Sequence, residues 1–200
     1  MQPHVFVLWF VLVFVLAMLP RVLHRAHHNR DRTRILTLNC RTLLADVRLG
    51  ELDNALTEKG ILLCALQETR RDGFKNETTA NFEIFWYGEC SGQRGVGFVI
   101  HKSLRHLISA PRGIPDSDGR LMTIYILLHD TKQPVTLICA YAPTSTSSFA
   151  IRNKFYTQLD KLVTPYTWLL GDFNARMGRK LHESDANFGA AIRNSVLTEG

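Results

Sequence analysis

Short apolar runs that each close on a polar, chemistry-bearing side chain constrain this 200-residue chain more than any other feature. The run ending Trp168-Leu-Leu-Gly-Asp172-Phe-Asn174-Ala is the clearest, because Asp172 and Asn174 are separated by one aromatic residue. In an extended strand alternate residues share a face, so this spacing predicts Asp172 and Asn174 on one side and Phe173 in a core. The pattern recurs upstream: Arg34 to Cys40 carries Asn39 near its end, Ile61 to Glu68 ends in Glu68, and Val135 to Pro143 carries Tyr141 just before the closing proline. Four strands thus deliver Asn39, Glu68, Tyr141 and the Asp172/Asn174 pair at their carboxyl ends, where α/β sheets place their chemistry. Taken one at a time, Asn39 and Asn174 could satisfy turn backbones and Asp172 could cap a loop. Their joint occurrence points to a site.

The order and form of these pieces resemble the endonuclease/exonuclease/phosphatase superfamily, and within it the endonuclease domains of non-LTR retrotransposons and the craniofacial-development-protein-2-like sequences. The pieces that carry the resemblance are Leu-Asn39-Cys-Arg41, Leu-Gln67-Glu68-Thr-Arg70, Arg94-Gly-Val-Gly-Phe-Val-Ile100, Asp118-Gly-Arg120-Leu-Met122, Tyr141-Ala-Pro-Thr144 and Gly171-Asp172-Phe-Asn174-Ala-Arg176. What the resemblance implies is a two-sheet α/β sandwich with helices on its outer faces that hydrolyses phosphodiesters with a divalent metal, magnesium or manganese. Glu68, with Asn39 beside it, matches the metal site; a small hard cation that keeps most of its waters needs few protein ligands. Asp172 matches the residue that prepares the attacking water, and Asn174 and Tyr141 match groups that hold the phosphate.

Members of that family also close with a further strand and a Ser-Asp-His ending, which these 200 residues do not contain. His182-Glu-Ser-Asp185 has the wrong order and is read as a solvated loop. A carboxyl-terminally truncated domain over residues 34–200 is therefore expected, with impaired or absent activity. An acid-base group of this kind contributes about a hundredfold to ten-thousandfold in rate. Nucleic acid is the expected partner, DNA before RNA, and no obligate protein partner is inferred. The alternatives are a lipid phosphatase or phosphodiesterase of the same superfamily, and a non-catalytic nucleic-acid-binding remnant.

Charge supports a local rather than a global nucleic-acid surface. Five arginines against Asp31 place +4 of the formal +6 between residues 21 and 34, leaving +2 for the remainder. Only contacting cations release counterions, so a near-neutral domain binds through a groove. Arg41, Arg70, Arg71, Arg94 and Arg120 lie beside the motifs as phosphate neighbours, with solvated charges or bridges to nearby carboxylates as the plainer reading. The four cysteines have no Cys-x-x-Cys spacing, and Cys64 and Cys139 read as core thiols without a disulfide framework.

Val5 to Leu19 is an unbroken apolar run, closed by Pro20 and followed by the basic stretch 21–33. A helix of that length spans about 22 Å, short of the roughly 30 Å hydrocarbon layer unless flanking residues are drawn in. With its arginines after the run, segment 1–20 reads as a signal anchor holding the domain on the cytoplasmic side. If the segment is unused, a nuclear or cytoplasmic protein is expected. His24, His27 and His28 sit among arginines and read as part of a basic linker.

The remaining elements follow from periodicity. Thr42 to Lys59 predicts a helix with Leu44, Val47, Leu52, Ala55 and Leu56 on one face and Gly60 as its stop. Aromatic-rich Phe74 to Glu89 leads into a central strand at Gly95 to Ile100. Leu121 to Leu128 and Val135 to Ala140 predict a hairpin, and Phe149 to Val163 a helix capped from the Thr144 to Ser148 loop. Residues 181–200 lack periodicity and are expected to be poorly ordered.

Overall fold

The computed structural model describes residues 34–127 and 134–174. The anchor-like run 5–19, the basic linker 21–33, the hairpin tip 128–133 and the segment after Asn174 lie outside the described residues. Among the described residues no helix is long and apolar enough to cross a membrane.

Two sheets face each other. The first is built from β1 (Arg34–Asn39), β2 (Ile61–Gln67), β3 (Gly73–Thr78), β4 (Phe82–Gly88) and β5 (Val96–His101), in spatial order β1-β2-β5-β4-β3. The second joins β6 (Arg112–Gly113), β7 (Leu121–Ile126), β8 (Val135–Tyr141) and β9 (Thr167–Asp172) in sequence order. Alternation sorts the side chains: Leu63, Ala65, Phe98 and Ile100 face Met122, Ile124, Leu137 and Cys139 across the sandwich, whereas Cys64, Leu66 and Val99 face outward under a helix. Cys64 and Cys139 are thus core thiols, and burial pushes the Cys139 thiol up to about 12.

The helices cover the outer faces. Helix α1 (Val47–Glu58) lays Leu49, Leu52 and Leu56 onto β1, β2 and β4, and α2 (Phe149–Asp160) lays Phe155 and Leu159 onto β7 and β8. Ser148 caps α2 by accepting from Ile151 N at 3.4 Å, and Gly60, at φ 60°, ends the turn after α1. The two-sheet α/β sandwich with outer helices is the architecture expected from the motifs, and β5 is the central strand anticipated at Gly95 to Ile100.

The face of α1 differs from expectation. Leu44 and Val47 are 51% and 69% exposed, while Leu43 is buried. Arg71 is the cause: its Nε donates to Leu43 O at 2.6 Å and its Nη2 to Asp46 at 2.6 Å, holding residues 43–46 as a loop and delaying the helix to Val47.

Candidate functional site

Two parallel strand pairs build the site. β1 pairs with β2 so that Asn39 sits opposite Gln67, and β8 pairs with β9 so that Tyr141 sits opposite Asp172. Parallel pairing puts both carboxyl ends of each pair at one edge, and β1 and β9 pack against each other where the two sheets meet. Residues far apart in the chain consequently share one cluster.

At its centre is the Asn39 side chain. Its Nδ2 donates to Glu68 Oε1 at 2.8 Å and to Asp172 Oδ2 at 3.1 Å, so one amide nitrogen holds both carboxylates. Tyr141 donates its hydroxyl to the same Glu68 Oε1 at 3.1 Å, and Arg70 Nη2 lies 3.4 Å from Oε2. Burial raises the Glu68 carboxyl, but the hydrogen bonds from Asn39, Tyr141 and Arg70 outweigh it and hold the group below the usual range, hence ionised. Burial and the Glu68 charge raise the Tyr141 phenol, which keeps it a neutral donor.

Glu68 itself lies one residue beyond β2 at φ 56°, and Arg41, Arg70, Arg94, Asp118 and Asn174 also have positive φ. For side chains other than glycine this conformation is costly and survives where neighbours over-determine it, a pattern concentrated at functional loops.

Asn174 departs from the alternation reading. β9 ends at Asp172, and Asn174 has turned to φ 46°. Its backbone N–H donates to Asp172 Oδ1 at 2.9 Å and its Nδ2 to Ala142 O at 2.7 Å. Asp172 therefore closes its own turn with one oxygen while its other oxygen meets Asn39; Asn174 fixes that turn and spends its amide on the β8 end. Phe173 does pack inward, against the outer core under α2.

Asn39 likewise differs from a simple metal ligand. Its Oδ1 accepts from Arg41 N at 3.1 Å, leaving the amide hydrogens toward the carboxylates. In that orientation it spaces two acidic groups. Among the described residues no group of three or more His, Cys, Asp and Glu side chains forms a metal cluster. The donor set is still the right kind for a hard cation: ionised Glu68, with Asp172 on the same amide nitrogen, offers carboxylate oxygens and leaves other positions to water.

The arginines divide. Arg70 pairs with Glu68, and Arg94 Nη1 pairs with Asp118 at 3.7 Å. Arg41 contributes its backbone to the Asn39 turn. Arg71 is no phosphate neighbour: its guanidinium is consumed by Leu43, Asp46, Glu77 and the face of Trp86, 4.5 Å away. Arg120 is buried, with its Nη1 donating to Tyr141 O at 3.1 Å and its guanidinium over the Tyr141 ring. Gln67 and Thr69 are buried beside Glu68, and the Gln67 side chain serves the core, accepting from Thr37 Oγ1 at 3.2 Å and donating to Cys139 Sγ at 3.4 Å.

No protein-family model matches the chain, and no curated protein does. Solved structures do resemble it. An AP endonuclease from Archaeoglobus fulgidus superposes with a TM-score of 0.49 at 19% identity, over 72% of this chain and 58% of that one. The endonuclease domain of TRAS1, a telomere-specific non-LTR retrotransposon, gives 0.47 at 13% identity over 72% and 60%. An endonuclease/exonuclease/phosphatase family protein from Leptotrichia buccalis gives 0.45 at 18% identity over 84% and 73%. The chain spans about three-fifths of the length of the first two.

Proposed function

We propose that the chain is a divalent-metal-dependent phosphodiesterase of the endonuclease/exonuclease/phosphatase type, acting on nucleic acid and on DNA before RNA. The observation that carries this reading is the Asn39 amide nitrogen shared between Glu68 and Asp172, which brings the ends of β1, β2 and β9 to one point. Glu68, with Asp172 near it, would hold the cation, which when bound supplies Lewis-acid polarisation of a phosphoryl oxygen. Asp172, its position fixed by Asn39 and by the Asn174 N–H, would orient the attacking water and take its proton. The Tyr141 hydroxyl, now on Glu68, would turn to the phosphate and stabilise its growing charge. Asn174 would serve by fixing the Asp172 turn, and Arg41, Arg70, Arg94 and Arg120 by attracting the substrate backbone.

The arginines that follow the apolar run 5–19 favour a domain on the cytoplasmic face of a membrane.

The test compares substrates. The full chain is incubated with an abasic-site DNA duplex, an RNA strand and phosphoinositide vesicles, each in magnesium and in EDTA. Cleavage of DNA that disappears in EDTA is expected. Phosphate release from the vesicles with the DNA left intact would replace the nucleic-acid reading with the lipid one.

A further inference from the structure

Three arginines meet on the rim beside Glu68. Arg70 N donates to Arg94 O at 2.8 Å, and Gly92 N donates to Arg70 O at 2.8 Å, which ties the β4–β5 turn to the end of β2. The loop before β7 closes on the same turn: Gly119 packs against the Gly88 and Glu89 backbone so tightly that a Cβ there would collide. Arg94 and Asp118 therefore come to this rim from two separate loops, both at positive φ.

The three arginines on this rim are not paired alike. Arg70 has Glu68 and Arg94 has Asp118. Arg120, 8% exposed, has no carboxylate within 4.0 Å among the described residues, and its Nε is buried without a partner. Burial, and next the Arg94 charge, push the Arg120 guanidinium below its usual range, while Asp118 acts in the opposite sense. A desolvated cation beside a second cation is costly unless an anion joins them. Of the three guanidinium groups, that of Arg120 is the one without a carboxylate within 4.0 Å among the described residues. Tyr141 links this rim to the carboxylates, with its ring centroid 5.3 Å from the Arg120 guanidinium carbon and its hydroxyl on Glu68.

We propose that Arg94 and Arg120 form a second phosphate subsite, one tyrosine side chain away from Glu68, which takes the backbone phosphate adjacent to the one hydrolysed. The subsite rests on the nucleic-acid reading of the Glu68 cluster. A strand would cross Tyr141 with one phosphate at Glu68 and Asp172 and its neighbour on the two arginines. Asp118, paired with Arg94, competes with that phosphate.

Two surface changes of opposite sign test this, with binding rather than turnover as the readout. Anisotropy of a fluorescein-labelled thymidine dodecamer is titrated with the full chain in EDTA at several KCl concentrations, and pyrophosphate is titrated separately by phosphorus NMR. Arg94→Gln should weaken oligonucleotide binding and reduce the slope of log Kd against log salt by about 0.7, the share of one phosphate contact on a single strand. Asp118→Asn should tighten binding by freeing Arg94. Both residues are about one-third exposed, so either variant should fold. Oligonucleotide binding unaltered by both changes would overturn the subsite while leaving the Glu68 reading standing. If the unaltered chain bound no oligonucleotide but held pyrophosphate through Arg94, the nucleic-acid reading would fall, and the strand path with it.

Discussion

Asn39 illustrates how much of the site depends on single side chains. Its one NH2 group spaces two carboxylates while its carbonyl is anchored by the Arg41 N–H. Asn39→Ala should leave Glu68 and Asp172 unspaced and lower kcat about a hundredfold to a thousandfold, the usual cost of losing one preorganised donor, with KM changing far less; steady-state kinetics check the split. Asp53 is a structural counterpart invisible to motif reading. It is 3% exposed on α1 and accepts from Asn81 N at 2.9 Å and Asn81 Nδ2 at 2.7 Å, tying the helix to the β3–β4 turn. Burial raises this carboxyl, but hydrogen bonds from Thr79, Asn81 and Thr57 outweigh it and the net displacement is downward. A depressed folded pKa stabilises the fold fully above about pH 4 and loses that contribution as pH falls through the folded value. Asp53→Ala should cost about 3 kcal/mol in urea unfolding at pH 7, and the difference from wild type should shrink in acid. A difference that stayed constant with pH would refute this role. At this scale Asn39, Glu68, Tyr141 and Asp172 were legible because each stands at the end of an apolar run. The direction of Asn174 was not, because a left-handed turn follows Asp172 and strand alternation stops applying there.

The elements explain why such distant residues meet. β8 and β9 run in parallel with Gly171 opposite Ala140, and a Cβ on Gly171 would overlap the Ala140 carbonyl. Gly171→Ala should push β9 off β8, moving Asp172 from Asn39 and abolishing activity; near-UV circular dichroism with a Tm measurement separates local displacement from global unfolding. Retention of full activity in that variant would show that β9 does not set the position of Asp172. Strands were legible from sequence because continuous apolar runs bounded by glycine, proline and polar turns leave little alternative. The start of α1 was less so: the Leu44 and Val47 spacing fits a helical face, yet the Arg71 bonds to Leu43 O and Asp46 compete for that segment and win. No local pattern in residues 42–47 announces an arginine that arrives from the end of β2.

At the scale of the molecule, two sheets with a buried apolar layer between them present their strand ends on one rim, and the rim holds both the acidic cluster and the arginines. Its two-sheet form was legible only through the family that the ordered motifs resemble, while the unpaired Arg120 emerges only when the β4–β5 turn and the 115–120 loop are brought together in space. If Glu68 and Asp172 act as one phosphodiesterase site, the full chain nicks supercoiled plasmid in magnesium, and the Glu68→Gln and Asp172→Asn variants, which keep the shape of each side chain, do not. Nicking that survives either substitution, or its absence in a chain shown to be folded, would contradict this reading.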